Sequence, residues 1–275
     1  MKSSKNLLLG TVSILAFAVI FLVPFAFVAS IAVKNVQQSA LLDFSWPNPF
    51  QLAANFKDTL SSRDYILIIA FINSTILTVS AVTIMVILGA MVAYVLQRRR
   101  SRWNGMVNLL VLAGLIIPPA VVPTIWVLQK LHLFKTLPGL ILVESALGLA
   151  FCILLFRAFI GSIPRDLDEA AMIDWASPLR IFFRVIFPLL RPVIVTVIVV
   201  QSVAVFNTFN NALYFLPGDQ NATVQLTLYN FKSQFVTQNN LLFMDILLIT
   251  IPPLIMFLFF NRQIVAGLTA GAVKG

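Results

Sequence analysis

Pro164-Arg165-Asp166-Leu167-Asp168-Glu169-Ala170-Ala171-Met172-Ile173-Asp174-Trp175, with Pro178 and Pro188 further on, is the stretch on which the reading of this chain turns. It lies inside a charge-mixed interval, Arg157 to Arg191, between long apolar blocks. Pro164 followed by Asp166, Asp168 and Glu169 makes a good helix start, because acids near an N-terminus meet the positive end of the helix dipole. Leu167, Ala170, Ala171 and Asp174 follow at helical spacing, giving a small-residue face that a partner's surface can approach closely. Pro178 interrupts the helical pattern. Beyond it Leu179, Phe182, Phe183 and Ile186 form a predicted apolar stripe against the membrane, with Arg180, Arg184 and Arg191 reaching back to headgroups. A hydrophobic chain that keeps so many charges in one loop implies a soluble partner docking there.

Working outward, composition excludes a soluble globule. Hydrophobic residues make up 60% of the 275 and charged residues 11%, where a soluble domain carries about 25% charged. Mean hydropathy is +0.96. The apolar residues lie in blocks near the length that crosses a bilayer, about 20 residues. Six spans are predicted, at about 7–33, 66–96, 106–128, 139–160, 193–213 and 241–260, with a cytoplasmic loop at 161–192. The expected fold class is therefore all-α: one polytopic transmembrane domain over 1–275. The first block is too long for a signal-peptide core and no small-residue cleavage pattern follows it closely, so it reads as a retained span.

The net charge of +9 is distributed by topology. With the N-terminus inside, thirteen of the 19 Lys and Arg residues face the cytoplasm, among them Arg98, Arg99, Arg100 and Arg102. Lys34, Lys57, Arg63, Lys130, Lys135 and Lys232 are left outside. That asymmetry places both termini in the cytoplasm and argues against nucleic acid as a partner. The run Gln97-Arg98-Arg99-Arg100 anchors the second span and suits contact with anionic membrane lipids.

Several residues inside or beside the spans stand out. Ile117-Pro118-Pro119-Ala120 and Pro123 break the third span, and Pro252-Pro253 interrupts the sixth. Such breaks either line a transport pathway or serve packing alone. Phe206-Asn207-Thr208-Phe209-Asn210-Asn211 ends the fifth span with amides interleaved among rings. Amides facing lipid are unfavourable, so this segment faces a cavity or neighbouring helices, and ring faces beside amides are what a sugar requires. Phe206, Asn207, Phe209, Asn210, Asn211, Pro118 and Pro119 are accordingly the candidate substrate-pathway residues. Asn73, Ser74 and Thr75 read as interhelical hydrogen bonders. Glu144 lies six residues past Pro138, about 9 Å along a helix, and is expected near the interface or paired with Lys130 or Lys135. Asp245 is a second acid near the outer end of its span. Cys152 allows no internal disulfide and reads as packing, and His132 as a loop residue. No metal-ligand spacing occurs. The glycine-rich end 267–275 lacks the phosphate-loop spacing, so ATP, where it drives this protein, is bound by another chain.

Two motifs now carry a family resemblance. The run Ile163-Pro164-x-x-Leu167-x-Glu169-Ala170-Ala171-x-x-Asp174, with Ile186-x-Pro188 following, resembles the Glu-Ala-Ala loop of ATP-binding cassette importer permeases. The ending Ile264 to Gly275, with Phe206-Asn207 through Leu216, is similar to the carbohydrate-uptake branch, which includes the maltose permease G protein. The resemblance covers nearly the whole chain.

It implies a type I importer permease, not itself an enzyme, in a bacterial cytoplasmic (inner) membrane. Leu167, Asp168, Glu169, Ala170, Ala171, Met172, Asp174, Trp175 and Pro188 would couple it to the ATPase. Glu169 would lie near basic groups of that subunit, with Ala170 and Ala171 in close contact. Implied partners are a second homologous permease subunit, two cytoplasmic ATPase subunits and an extracellular or periplasmic sugar-binding protein meeting the 215–240 loop. This chain would bind no cofactor; ATP and Mg would sit on the ATPases. Two departures stand out: Trp175 replaces the family's usual glycine, and Phe206 and Thr208 replace its usual Trp and Asp. A tryptophan at positive φ is costly, so either the backbone turns differently there or Trp175 adds a contact of its own. Without the resemblance, the residues would also admit a self-sufficient secondary transporter or channel, or a membrane scaffold.

Overall fold

A computed structural model describes residues 2–218, 221–231 and 238–272, and every regular element among them is helical. Helix α1 (Lys2–Ala32) is followed by the short α2 (Val36–Ala40) and α3 (Leu52–Ser61). Next come α4 (Ile66–Arg98), α5 (Asn104–Ile116), α6 (Val121–Lys130) and α7 (Leu137–Ile160). The loop holds α8 (Asp166–Ile173), α9 (Pro178–Ile181), a π-helical turn (Phe182–Ile186) and α10 (Phe187–Leu189). The chain then forms α11 (Arg191–Phe206), α12 (Asn210–Phe215), α13 (Val224–Thr227) and α14 (Asn239–Ala272).

Four helical stretches are long and apolar enough to cross a membrane: Gly10–Ala32, Ile66–Arg98, Leu137–Ile160 and Asn239–Asn261. Two bent pairs raise the number to six when each counts as one span. The predicted third span, 106–128, is one of these: α5 and α6 meet at 117°. Pro118 and Pro119 supply no N–H, and a proline biases the residue before it away from helix. Ile117 accordingly lies at φ −77°, ψ 122°. The second pair is Pro178–Leu189 with α11, bent by 77°. The predicted fifth span, 193–213, is interrupted as well, since α11 ends at Phe206 and α12 starts at Asn210. Of the C-terminal stretch 264–275, residues to Ala272 continue α14, and 273–275 lie outside the described residues. So do Lys232, Lys274 and parts of the 215–240 loop.

Contacts group the chain into two units, Met1–Ala70 with Val224–Ile251 and Phe71–Thr223 with Pro252–Gly275. In the first, Asn55 Nδ2 donates to the carbonyls of Ala32 and Lys34, both at 2.8 Å, and Asn240 Nδ2 donates to Asn55 Oδ1 at 2.9 Å. Lys34, fully buried, donates to Asp43 Oδ1 at 2.7 Å. That ammonium and the Ser45 donors hold the Asp43 carboxyl down at about 2. Phe27 packs edge-to-face on Phe44 and Phe243. Most side chains of Gly10–Ala32 face outward, as suits a helix solvated by lipid.

In the second unit α7 is central, with α5, α11 and α12 packed on it. Small residues bring the backbones close, the usual way membrane helices associate. A Cβ on Gly148 would stand 2.5 Å from Met85 Sδ, and one on Gly89 would stand 3.1 Å from Cys152 Cβ. Cys152, Phe156 and Ile160 are buried along this seam, and Cys152 is the packing residue the sequence predicts.

The apolar stripe predicted at 179–186 does not form one membrane-facing surface. Leu179 and Phe183 are exposed, whereas Phe182 and Ile186 are buried, Phe182 against Tyr94. Each pair is spaced four residues apart, so the buried pair and the exposed pair occupy adjacent strips of the helix surface and the boundary of burial runs between them.

Candidate functional site: the helix of the 161–192 loop and the break in the fifth span

Helix α8 begins with Asp166, Asp168 and Glu169 in its first turn, where carboxylates meet unpaired N–H groups. Asp168 points back into the protein. Its Oδ1 accepts from Tyr94 Oη at 2.7 Å, and its Oδ2 lies 3.0 Å from Arg98 Nε. The Arg98 contact is an ion pair without the alignment of a hydrogen bond. Arg98 also donates to the Ile163 carbonyl at 2.9 Å, and Arg165 donates to the Gln97 carbonyl at 3.1 Å. The C-terminal turn of α4 is therefore tied to the start of α8 from both directions. A basic side chain on those last carbonyls also satisfies the helix end.

This geometry separates residues that sequence reasoning grouped together. Glu169, Ala170, Met172, Ile173, Asp174 and Trp175 are exposed, Leu167 is 40% exposed, and Pro188 is exposed on α10. Asp168 alone of the set is buried, at 5%. Tyr94 and Arg98, which hold it, were not singled out for that role. The only sequence signal was the arginine run closing the second span. Glu169 and Met172 also edge a cavity of about 220 Å³ whose other walls include Arg98, Arg99 and Arg165.

The far end of α8 is a Schellman cap. The Trp175 N–H donates to the Met172 carbonyl at 3.0 Å and the Ala176 N–H to the Ala171 carbonyl at 3.1 Å. The residue between cap and exit must then be left-handed, a position glycine usually fills. Here it is Trp175, at φ +55°. The backbone keeps the positive φ, at a strain of about 1–2 kcal/mol for an L-residue, and the indole is 94% exposed.

The second candidate region is the gap 207–209 and α12. Thr208 Oγ1 and Asn211 Nδ2 both donate to Glu144 Oε1, at 2.8 and 2.9 Å. Glu144 thus crosses from α7 to hold the broken span. Of the two sequence expectations, a place near the interface or a pairing with Lys130 or Lys135, the second gives way to Thr208 and Asn211 as the partners of Glu144 among the described residues. Thr208 and Asn211 lie three apart, beside each other on the chain's turn into α12, and supply donors that no lysine needs to replace. Phe206 is buried, with its ring 6.5 Å from that of Phe71. Asn207 and Asn210 are exposed, and Phe209 is half-buried. Pro118 and Pro119 are exposed at the corner between α5 and α6. Asp245, the other acid inside a span, is fully buried and accepts from Thr227 Oγ1 at 2.8 Å.

Residues 85–269, which contain both regions, match the model of the family described as "Binding-protein-dependent transport system inner membrane component". The chain belongs to that family. It is a multi-pass inner-membrane permease of a binding-protein-dependent importer, as the resemblance in the α8 motif implied. The permease is 32% identical to the melibiose/raffinose/stachyose import permease protein of Bacillus subtilis, over 75% of this chain and 76% of that one. It is 31% identical to the diacetylchitobiose uptake system permease protein of Streptomyces coelicolor, over 95% and 87%. With the trehalose transport system permease protein of Mycobacterium tuberculosis it shares 36% identity over 75% and 77%. Its fold matches a bacterial ABC transporter involved in the import of the acidic polysaccharide alginate, with TM-score 0.82, 20% identity, and 95% and 98% of the two chains covered. Family membership replaces the self-sufficient transporter and scaffold readings.

Proposed function

We propose that this permease is one membrane subunit of an ATP-driven carbohydrate importer, with both termini in the cytoplasm. It forms half of the translocation pathway beside a second homologous permease subunit. Two cytoplasmic ATPase subunits hold ATP and Mg, and an extracellular or periplasmic binding protein delivers the sugar. The observation that carries the coupling role is the build of α8. Its exposed side presents Glu169 and Ala170, while its buried Asp168 ties it to the end of a membrane-crossing helix. A helix held so firmly on one side and bare on the other transmits a push from a docked ATPase into α4, the kind of two-state element that nucleotide can bias. The names of the relatives, which include permeases for melibiose, diacetylchitobiose and trehalose, support a carbohydrate as solute. Phe209, Asn207 and Asn210 are the proposed contributions from the fifth span to the pathway, with Pro118 and Pro119 shaping the third.

The test is ATP hydrolysis by the complete complex in lipid nanodiscs, with its binding protein and a panel of sugars. One sugar should stimulate hydrolysis in the wild type, and Glu169→Lys should abolish that stimulation by placing a cation against basic groups of the ATPase. Hydrolysis indifferent to every sugar and to the substitution would remove both the solute class and the coupling role.

A further inference from the structure

The turn that joins α4 to α5 is cationic and lies open. Arg99, Arg100 and Arg102 are exposed, and Arg102 stands over the Trp103 ring at 5.4 Å. Among the described residues no hydrogen bond or ion pair holds the side chain of Arg99 or Arg100, whereas Arg98 beside them is paired with Asp168. No Asp or Glu occurs between Asp64 and Glu144. Two carboxylates of α8 reach this end of α4: Asp168, taken by Arg98, and Glu169, which edges the cavity it shares with Arg98, Arg99 and Arg165. With Arg180 and Arg184 following on the loop, the arginines here outnumber the acids of α8, which are completed by the exposed Asp166 and Asp174.

Two apolar grooves adjoin this turn. Helix α5 packs on α7, and the space beside α4 is a groove of about 450 Å³ lined by Leu88, Met91, Val95, Trp103 and Val107 among others. A second groove, of about 260 Å³, meets the first over Met91 and Val95; Pro178, Leu179 and Phe182 wall it, and Arg99 also lines it. We propose that these grooves hold the two acyl chains of one anionic diacyl phospholipid, with its phosphate and headgroup seated among Arg99, Arg100 and Arg102. Leu88 lies ten residues before Arg98, where α4 ends. That is about 15 Å along the helix, half of a hydrocarbon core about 30 Å deep, so the grooves have the reach of one leaflet. Arginine forks match phosphate oxygens in pairs, and Trp103 sits where aromatic residues collect at the edge of a bilayer. The charge selects among lipids: a zwitterionic headgroup brings a cation of its own toward these arginines, and an anionic one does not.

The experiment reads the Trp103 indole, which lines the larger groove, as the difference in emission between the wild-type complex and Trp103→Phe in nanodiscs. Phosphatidylglycerol with brominated chains is titrated into unlabelled phosphatidylcholine, and brominated phosphatidylcholine of the same chains is the comparison. Brominated phosphatidylglycerol should quench saturably, with its midpoint at a mole fraction about tenfold lower than brominated phosphatidylcholine needs. In Arg99→Gln/Arg100→Gln/Arg102→Gln the two midpoints should fall within about twofold of each other. Val95→Phe, which narrows both grooves, should weaken quenching by either lipid. Equal quenching by the two lipids in the wild type overturns the proposal, and that comparison needs no arginine variant to fold. A preference that rises without saturating means diffuse attraction to the surface and overturns it as well. No quenching by either lipid would mean that a protein surface, such as a helix of another subunit, covers the groove. A triple variant that still prefers phosphatidylglycerol would place the headgroup elsewhere; each of these two results also overturns the assignment.

Discussion

Two short helices, α8 and α12, are each held by one buried carboxylate, and the carboxylates have different partners. Asp168 at the start of α8 meets a guanidinium and a phenol, Arg98 and Tyr94. Glu144, which receives the turn into α12, meets only a hydroxyl and an amide. The tether at the end of α4 is a charged pair whose guanidinium is only 9% exposed. The tether within α7 uses neutral donors, which do not place a second full charge inside the apolar layer. Removing one member therefore has unequal consequences: at α8 an arginine loses its counter-ion, whereas at α12 two neutral donors lose an acceptor.

Asp168→Ala gives the largest expected effect. Leaving one member of a buried ion pair alone costs about 3–5 kcal/mol, so the thermal midpoint should drop by many degrees and sugar uptake should fail. Asp168→Asn should remain folded, since its amide oxygen still accepts from Tyr94, but with weakened coupling of ATP hydrolysis to uptake. Next comes Glu144→Ala, which orphans two donors, each at about 1–3 kcal/mol when fully buried and less here because Thr208 and Asn211 are only half-buried. Glu144→Gln keeps an acceptor and should stay near wild type in thermal stability. A Gln variant as damaging as the Ala variant would mean the charge itself is required, and the contrast between charged and neutral tethers would break.

The smallest effect belongs to a third tether, Lys34–Asp43, which lies outside the spans. Its carboxyl is held at about 2, below the usual carboxylate value of 3.8, first by the Lys34 hydrogen bond and then by Ser45. A depressed carboxylate stabilises the fold above its unfolded value and loses that contribution as pH falls through the folded one. Protection of the 34–45 backbone against hydrogen exchange should thus be flat above about pH 4 and decline between about 4 and 2. Asp43→Asn should remove that pH dependence and leave transport nearly unchanged.

Most of the frame was readable from sequence because it rests on composition and local chemistry. Blocks of apolar residues specify membrane helices without reference to neighbours, since the bilayer demands internally satisfied backbone. Pro118 and Pro119 announced a break, and the acids after Pro164 announced the start of α8. The extent of the break was not readable, because a proline pair removes hydrogen bonds without setting the angle at which packing settles the two halves, here 117°. Nor was the division of the α8 residues, since Asp166, Asp168 and Glu169 are chemically alike and only the position of Arg98 on a helix some seventy residues earlier selects Asp168 for burial.

The sequence by itself determined an all-helical membrane permease with a short acidic helix in its largest charged loop. Helix propensity, hydropathy and the Glu169-Ala170-Ala171 motif are properties of neighbouring residues. Only the tertiary structure decided that Asp168 is a tether, that Glu144 reaches Thr208 and Asn211, and that Trp175 accepts a left-handed backbone with its ring in the open. Those outcomes depend on which side chains meet across helices far apart in the chain, and on the cap hydrogen bonds that set the backbone of Trp175.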